Sequence, residues 1–250
     1  MFDSQTVSEG PLHTGGMWAN EHQGSGNVID VTTKDCTALA DNELAEMADL
    51  CAEGSTGYEV GFLSKQREEW VLVTQAREEN KLRGFAFSTL ERIGGTPSLL
   101  IGVASFVKTN ASEPALKAVM RDLYRRAVLA FPDEDVLVGT RVQDPASYRS
   151  FAGLADTVPM PDHKATGEER AWGRRLAKRF GVEGQLDDRV FALTGDGSPI
   201  GFLDYAPRKA PALAEKVAGL FEVVNVERRD ALVVCGWAMA EELAAGSLPK

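Results

Sequence analysis

The sequence predicts an α/β fold built on a mixed, mostly antiparallel sheet. Residues 70–107 hold three β-rich runs separated by short turn-forming stretches, the signature of a meander. A capped, amphipathic segment over residues 112–130 then leads into another β-rich run at 135–142, the strand–helix–strand order of a crossover. The chain has 250 residues, 44% hydrophobic and 26% charged, which is enough to bury a sizeable core.

The elements follow in order. Residues 1–25 carry Gly10, Pro11, Gly15, Gly16 and Gly24 among polar residues and are expected to be disordered, with Trp18 the one residue suited to docking. Asn27–Thr33 reads as a short strand. Asp41 or Asn42 caps a helix to about Ala52, with Leu44, Met47, Ala48 and Cys51 at helical spacing. Residues 57–69 carry no decisive period. Strands are expected at Trp70–Ala76, Leu82–Ile93 and Leu99–Val107. Ser112 suits an N-cap, Glu113 the first turn and Pro114 the start of a helix whose stripe is Leu116, Val119, Met120, Leu123 and Ala127. Asp135–Val142 is a strand, and Asp144-Pro145 opens a short helix to Leu154.

Beyond Pro161 the texture changes. Thr166 and Glu169 have the spacing of a capping box for a basic helix ending at Phe180. A hairpin around Gly195-Asp196-Gly197 is expected to join strands 189–194 and 200–205. Pro211–Phe221 reads as a helix, Val223–Val226 and Ala231–Ala238 as a last strand pair, and Glu241–Ala245 as a frayed tail. The organisation is therefore an N-terminal segment (1–25), a core (26–158) and a C-terminal α/β extension (159–250), which either completes the sheet or forms a small second lobe.

The formal net charge of −10 argues against nucleic acid as a partner, since phosphate binding runs on clustered Lys and Arg. The longest apolar runs, about ten residues, are too short to span a bilayer, and no signal peptide stands at the start; a cytoplasmic location is expected. Cys36, Cys51 and Cys235 form no CxxC motif, and His13, His22 and His163 lie in polar stretches, which argues against a Cys/His metal site. A carboxylate-bound metal stays open on these counts, though none is assigned. Cys235, in an apolar run, is expected to be buried.

The order of elements over about 27–158 resembles that of the GNAT superfamily of acyl-CoA-dependent N-acyltransferases. The sharpest local match is Asp135–Leu154, which looks like the family's fifth strand and the Asn-Pro-Ala-rich helix after it. The resemblance implies that strands four and five lie parallel and splay apart at their C-terminal ends. A pantetheine arm would lie in the gap along the strand ending at Phe106 and Val107, with pyrophosphate over the next helix N-terminus. Acetyl-CoA or another acyl-CoA would be the donor and a primary amine of a small molecule or peptide the acceptor. Lys108, Thr109, Asn110 and Ser112 would face phosphate, and Asp144 would meet the pantetheine amide or simply cap its helix.

Two departures stand against transfer. The phosphate turn 108–114 has no glycine, and Phe151 occupies the place of the usual leaving-group tyrosine. Tyr148, one helical turn earlier, is the substitute candidate acid, or else a packing residue. Glu91 is a candidate base or a solvated strand carboxylate. Three readings follow: an N-acyltransferase; a GNAT-fold ligand-binding or interaction module without transferase activity; or an acyltransferase served by an acyl carrier protein, for which the row Arg170, Arg174, Lys178 would suit an acidic partner.

Overall fold

A computed structural model describes residues 28–54 and 56–250. Among them the order is β1 (Asp30–Asp35), α1 (Asp41–Glu53), α2 (Val60–Glu69), β2 (Leu72–Glu78), β3 (Lys81–Ile93), β4 (Thr96–Phe106), α3 (Ser112–Ala130), β5 (Val136–Val142), β6 (Ala155–Val158), α4 (Gly167–Arg179), β7 (Leu186–Asp187), β8 (Ala192–Leu193), β9 (Leu203–Asp204), α5 (Ala212–Val217), β10 (Ala231–Ala238) and α6 (Ala240–Ala244). The strands form one sheet in the order β1-β2-β3-β4-β5-β10-β8-β7, with β6 added to β10 and β9 added to β4. The disorder expected for 1–25 lies outside the described residues, as do Asn27 and Trp18.

The meander forms as expected: β1–β2, β2–β3 and β3–β4 are antiparallel. In β4 every residue after Thr96 is buried, because helices cover both faces. On one face α3 packs Leu116, Val119, Met120 and Leu123 against Ile101, Ala104 and Val138. On the other, Leu44, Met47, Leu63, Trp70, Leu176 and Phe180 surround Phe85, Phe87, Leu100 and Val103. This explains the near-continuous apolar run of residues 99–107: a strand buried on both sides has no polar face to alternate with.

The crossover through α3 sets β5 parallel to β4, with partners Ser98–Leu137, Leu99–Val138 and Leu100–Gly139. The ladder stops there. A register shift lies between Phe87 and Ser88 on β3, so that Gly102 falls between the paired residues Ile101 and Val103. Such a bulge bends and twists a strand, and it begins where β4 leaves β5. Glycine is required at that point: a Cβ on Gly102 would stand 1.9–2.4 Å from the Trp70 indole.

Several local expectations are corrected. Residues 189–194 and 200–205 do not form a hairpin. The Gly195–Gly197 loop instead bonds the 228–230 turn, through Gly195 N–H to Asp230 Oδ1 (2.8 Å) and Gly197 N–H to Arg228 O (3.0 Å). That frees β8 to pair with β7 and β10, and β9 to run parallel to β4. Val223–Val226 is not a strand, because the Asn225 side chain accepts from Glu227 and Arg228 N–H and folds a tight turn. Residues 57–69 contain α2, and the expected frayed tail contains α6. Residue 41 is the first helical residue rather than the cap; Glu43 reaches back to the Ala40 N–H at 2.9 Å. Ser112 likewise starts α3 without capping it.

Candidate functional site

The splay beyond Leu100 and Gly139 is the natural place for a ligand, since parallel strands that part expose backbone groups between them. Here the chain itself fills that place. Leu203 and Asp204 pair in parallel with Ala104 and Ser105, and the Ala104 N–H donates to Phe202 O at 3.1 Å. Before this ladder, Tyr58 Oη donates to Ile200 O at 2.6 Å. After it, the Tyr205 N–H donates to Ser147 Oγ at 3.1 Å, and the Tyr205 side chain hydrogen-bonds Ser112 at the start of α3. Residues 201–205 are all buried. The segment thus runs from beneath α2 to the β4–α3 turn, along the whole path assigned to a pantetheine arm.

β9 pairs with β4 and not with β5. Between β9 and the end of β5 a cavity of about 630 Å³ remains, lined among others by Gln143, Asp144, Phe202, Asp204 and Pro207. Asp144 caps the 3-10 turn Pro145–Phe151: Oδ1 accepts from Ala146 N–H (2.9 Å) and Ser147 N–H (3.2 Å), and Oδ2 from Ser147 Oγ (2.6 Å). Burial, and then the neighbouring Asp204 charge, raise its pKa from the ordinary 3.8 to about 6 against those bonds. Thus the cap expected of Asp144 is present, at the rim of the cavity.

On the α4 face of the splay lies Arg141, 4% exposed. Its guanidinium stacks on Phe180 at 4.6 Å, and Nη2 donates to Gly102 O at a long 3.4 Å. Among the described residues its Nε has no hydrogen-bond partner and it forms no ion pair. Burial pushes its pKa down to about 10, with Tyr58 and Glu69 opposing from longer range. Sequence reasoning missed both Arg141 and Tyr58. Arg141 sat in the middle of an apolar strand run, and a buried charge there was a usable signal.

The other predicted residues divide. Phe106 is buried and packs edge-on against Tyr205 at 6.2 Å. The Val107 N–H is given to Arg83 O at 2.9 Å and is not presented to the cleft. Lys108, Thr109 and Asn110 form the β4–α3 turn as expected, with Lys108 and Asn110 exposed and Thr109 Oγ1 accepting from Ala111 N–H. Glu113 is held by Arg149 (3.0 Å) and Lys117 (3.3 Å), which keep its carboxyl below the usual range.

Tyr148 is not brought to the cleft. It is fully buried beside Phe151 and Phe221, and its hydroxyl donates to Pro159 O at 2.9 Å. Burial raises its pKa, which keeps the phenol protonated with that proton directed at Pro159 O and away from the cleft. Glu91 pairs with Arg179 Nε at 2.6 Å and lies opposite Ser98, at the closed end of the β4–β5 ladder. The splay opens past Leu100, two residues along β4 from Ser98, so Glu91 stands about 7 Å short of its start and about 20 Å from the β9 ladder at Ala104.

The basic row is also largely engaged within the chain: Arg174 pairs with Asp188, Arg170 Nε donates to Thr166 O at 3.4 Å, and Lys178 stays exposed. All three cysteines are buried thiols, with Cys51 raised to about 11 and Cys36 and Cys235 to about 12 chiefly by burial. Among the described residues no His/Cys/Asp/Glu group is arranged to hold a metal ion, and no helix is long and apolar enough to cross a membrane.

No family model and no curated protein matches the sequence. Among solved structures the chain is similar to the ribosomal-protein-S18-alanine N-acetyltransferase of Escherichia coli, at 12% identity and a TM-score of 0.38, over 56% of this chain and 86% of that one. It is also similar to a GNAT family acetyltransferase of Brucella melitensis in complex with acetyl-CoA, at 16% identity and a TM-score of 0.36, over 50% and 82%. A third is ElaA of Escherichia coli, at 15% identity and a TM-score of 0.35, over 56% and 95%.

In the described conformation the cleft is closed to an acyl-CoA. The β4 edge is taken by β9, the turn before α3 lacks glycine, and Glu113 and Tyr205 lie at the helix start where phosphates would sit.

Proposed function

We propose that the protein is an N-acyltransferase of the acyl-CoA-dependent type, with a primary amine as acceptor, and that the described conformation is its closed form. The observation that supports this is the splay: a parallel β4–β5 ladder of three rungs, a bulge at Gly102, and beyond it a β4 edge that accepts an extended backbone. An edge that pairs with the extended residues 202–204 is stereochemically suited to the amide groups of an extended ligand arm. Lys108 and Asn110 are the exposed donors nearest the arm's phosphate end, with Thr109 half-buried between them. Neither Tyr148 nor Glu91 is retained as acid or base.

A second reading, a ligand-binding or interaction module without transferase activity, is favoured by Glu113: its ion pairs with Arg149 and Lys117 fix a carboxylate at the N-terminus of α3, in the place a ligand anion would take. Native mass spectrometry of the purified protein, followed by calorimetry with CoA and acetyl-CoA, separates the two. Co-purified CoA or measurable binding supports the transferase. Absence of binding at millimolar CoA, in the wild type and in a variant lacking residues 198–207, leaves the module.

A further inference from the structure

We propose that residues 200–205 form a displaceable strap over the donor cleft, and that an anionic ligand group displaces it by reaching Arg141. This deepens the transferase reading and rests on it. Three features of the segment separate it from an ordinary core strand. Its ladder has two rungs, Leu203 and Asp204 on Ala104 and Ser105. Its other edge faces the 630 Å³ cavity instead of β5. On both sides it is joined by irregular chain, 194–199 and 206–211, rich in Gly and Pro. A core strand in this position would pair on both sides.

Beneath the strap the polar groups are arranged for something the strap does not supply. Gly201 crosses Arg141 so closely that a Cβ would stand 3.1 Å from Nη2, 2.6 Å from Val103 Cγ2 and 2.7 Å from Gly102 O. The strap therefore covers the guanidinium with a residue that has no side chain to offer it. A guanidinium presents five donors; among the described residues one long hydrogen bond and the stacking on Phe180 are its polar and aromatic partners. A buried arginine left so short of acceptors is costly, and the chemistry that completes it is a carboxylate, phosphate or polarised carbonyl oxygen. Tyr58 Oη, which now donates to Ile200 O, is released at the same moment.

The groups facing Arg141 set what can enter. Phe180 walls it, Tyr58 and Glu69 act on it from longer range, and Asp204 leaves with the strap. Departure of the strap therefore removes the Asp204 carboxyl group from the cleft as well as a steric block. A cleft closed 99 to 1 weakens the apparent affinity of any donor about 100-fold relative to the open form.

The test uses the full chain with Gly201→Ala, which crowds the strap against Val103 and Gly102 without touching the β4–β5 ladder, and Tyr58→Phe, which removes the bond to Ile200 O. Hydrogen exchange is read at residues 100–106 and 200–206, and CoA binding by calorimetry. The expected result is faster exchange confined to those two segments in both variants, with CoA binding at least 10-fold tighter than in wild type. Exchange unchanged in folded Tyr58→Phe and Gly201→Ala protein overturns the strap. Equal CoA affinity in wild type and variants overturns the strap and leaves the donor site standing. Faster exchange with no CoA binding in any variant overturns the donor reading itself. Adding Arg141→Met to Gly201→Ala must abolish the gain; a retained gain removes Arg141 from the proposal.

Discussion

Substituting Asp144 by Asn is the perturbation whose magnitude the structure sets most directly. The carboxylate caps the turn at 145–151 through three hydrogen bonds, yet its pKa is raised from 3.8 to about 6 by burial and by the Asp204 charge. Because the folded value lies above the unfolded one, the fold favours the neutral acid. Its stabilising contribution is whole below about pH 4 and is lost as pH rises through 6. At about 1.4 kcal/mol per tenfold change, the loss amounts to about 2–3 kcal/mol by pH 7 after allowance for partial exposure. Asparagine keeps the Oδ1 acceptor for the two N–H groups and cannot ionise, so it caps nearly as well. Urea unfolding of both proteins from pH 4 to 7.5 gives the test as a difference of differences, in which titrations elsewhere cancel. The stability of Asp144→Asn relative to wild type should rise by about 2–3 kcal/mol across that window. A flat or falling difference refutes the claim that desolvation, rather than the cap, dominates this carboxylate.

Other outcomes follow from the same geometry. Tyr148→Phe should cost about 1–2 kcal/mol in thermal unfolding, because the buried Pro159 carbonyl loses its donor, and should leave CoA affinity unchanged; a changed affinity would return Tyr148 to the site. Gly102→Ala should destabilise by 3 kcal/mol or more, the upper range of overpacking, since its Cβ meets the Trp70 ring; near-wild-type melting would mean that β4 can shift away. Glu91→Gln should cost at most about 1 kcal/mol, the range of a partly exposed pair with Arg179, and should leave any acyl-transfer rate intact in a coupled thiol assay. Glu113→Gln should tighten CoA binding by about 0.3–1 kcal/mol in calorimetry, through loss of an anion from the first turn of α3; weaker binding would show that Arg149 needs its partner.

Much of the fold was legible because its determinants are local. The meander of 72–106 is written in β-rich runs and short turns, and α3 in a four-turn stripe. The caps of Asp144 and Thr166 are written in adjacent residues, and both form. The parallel β4–β5 pair then follows from connection length alone. What was not legible is long-range. β9 is two residues long and pairs with residues about a hundred positions earlier, so no window of the sequence contains its signal. The Gly195-Asp196-Gly197 cluster has the composition of a hairpin turn, but its N–H groups are claimed by Arg228 and Asp230, and the turn chemistry serves a loop contact instead. Tyr148 illustrates the same limit in the site. Its spacing places it one turn from Phe151, but only the packed structure shows that its hydroxyl is taken by Pro159, across a chain reversal no local pattern announces.

The missing glycine of the donor turn and the presence of β9 have a common physical root. A parallel pair that parts must leave backbone N–H and C=O groups facing each other across the gap, and buried groups of this kind demand partners. In an open-cleft protein, water and then ligand meet that demand. Here residues 202–204 meet it, and being tethered they act at an effective concentration on the order of millimolar. A glycine-rich phosphate turn would strengthen the ligand against this competitor; the turn 108–114 lacks it, so the balance lies with the strap. Restoring one side of the balance should therefore reveal the other. A chain with Glu113→Gln and Gly201→Ala together should bind CoA more tightly than either single variant, the two gains multiplying, because open fraction and intrinsic affinity enter the apparent affinity as a product. A double variant no tighter than the better single variant would mean that the phosphate end and the pantetheine path are not parts of one site.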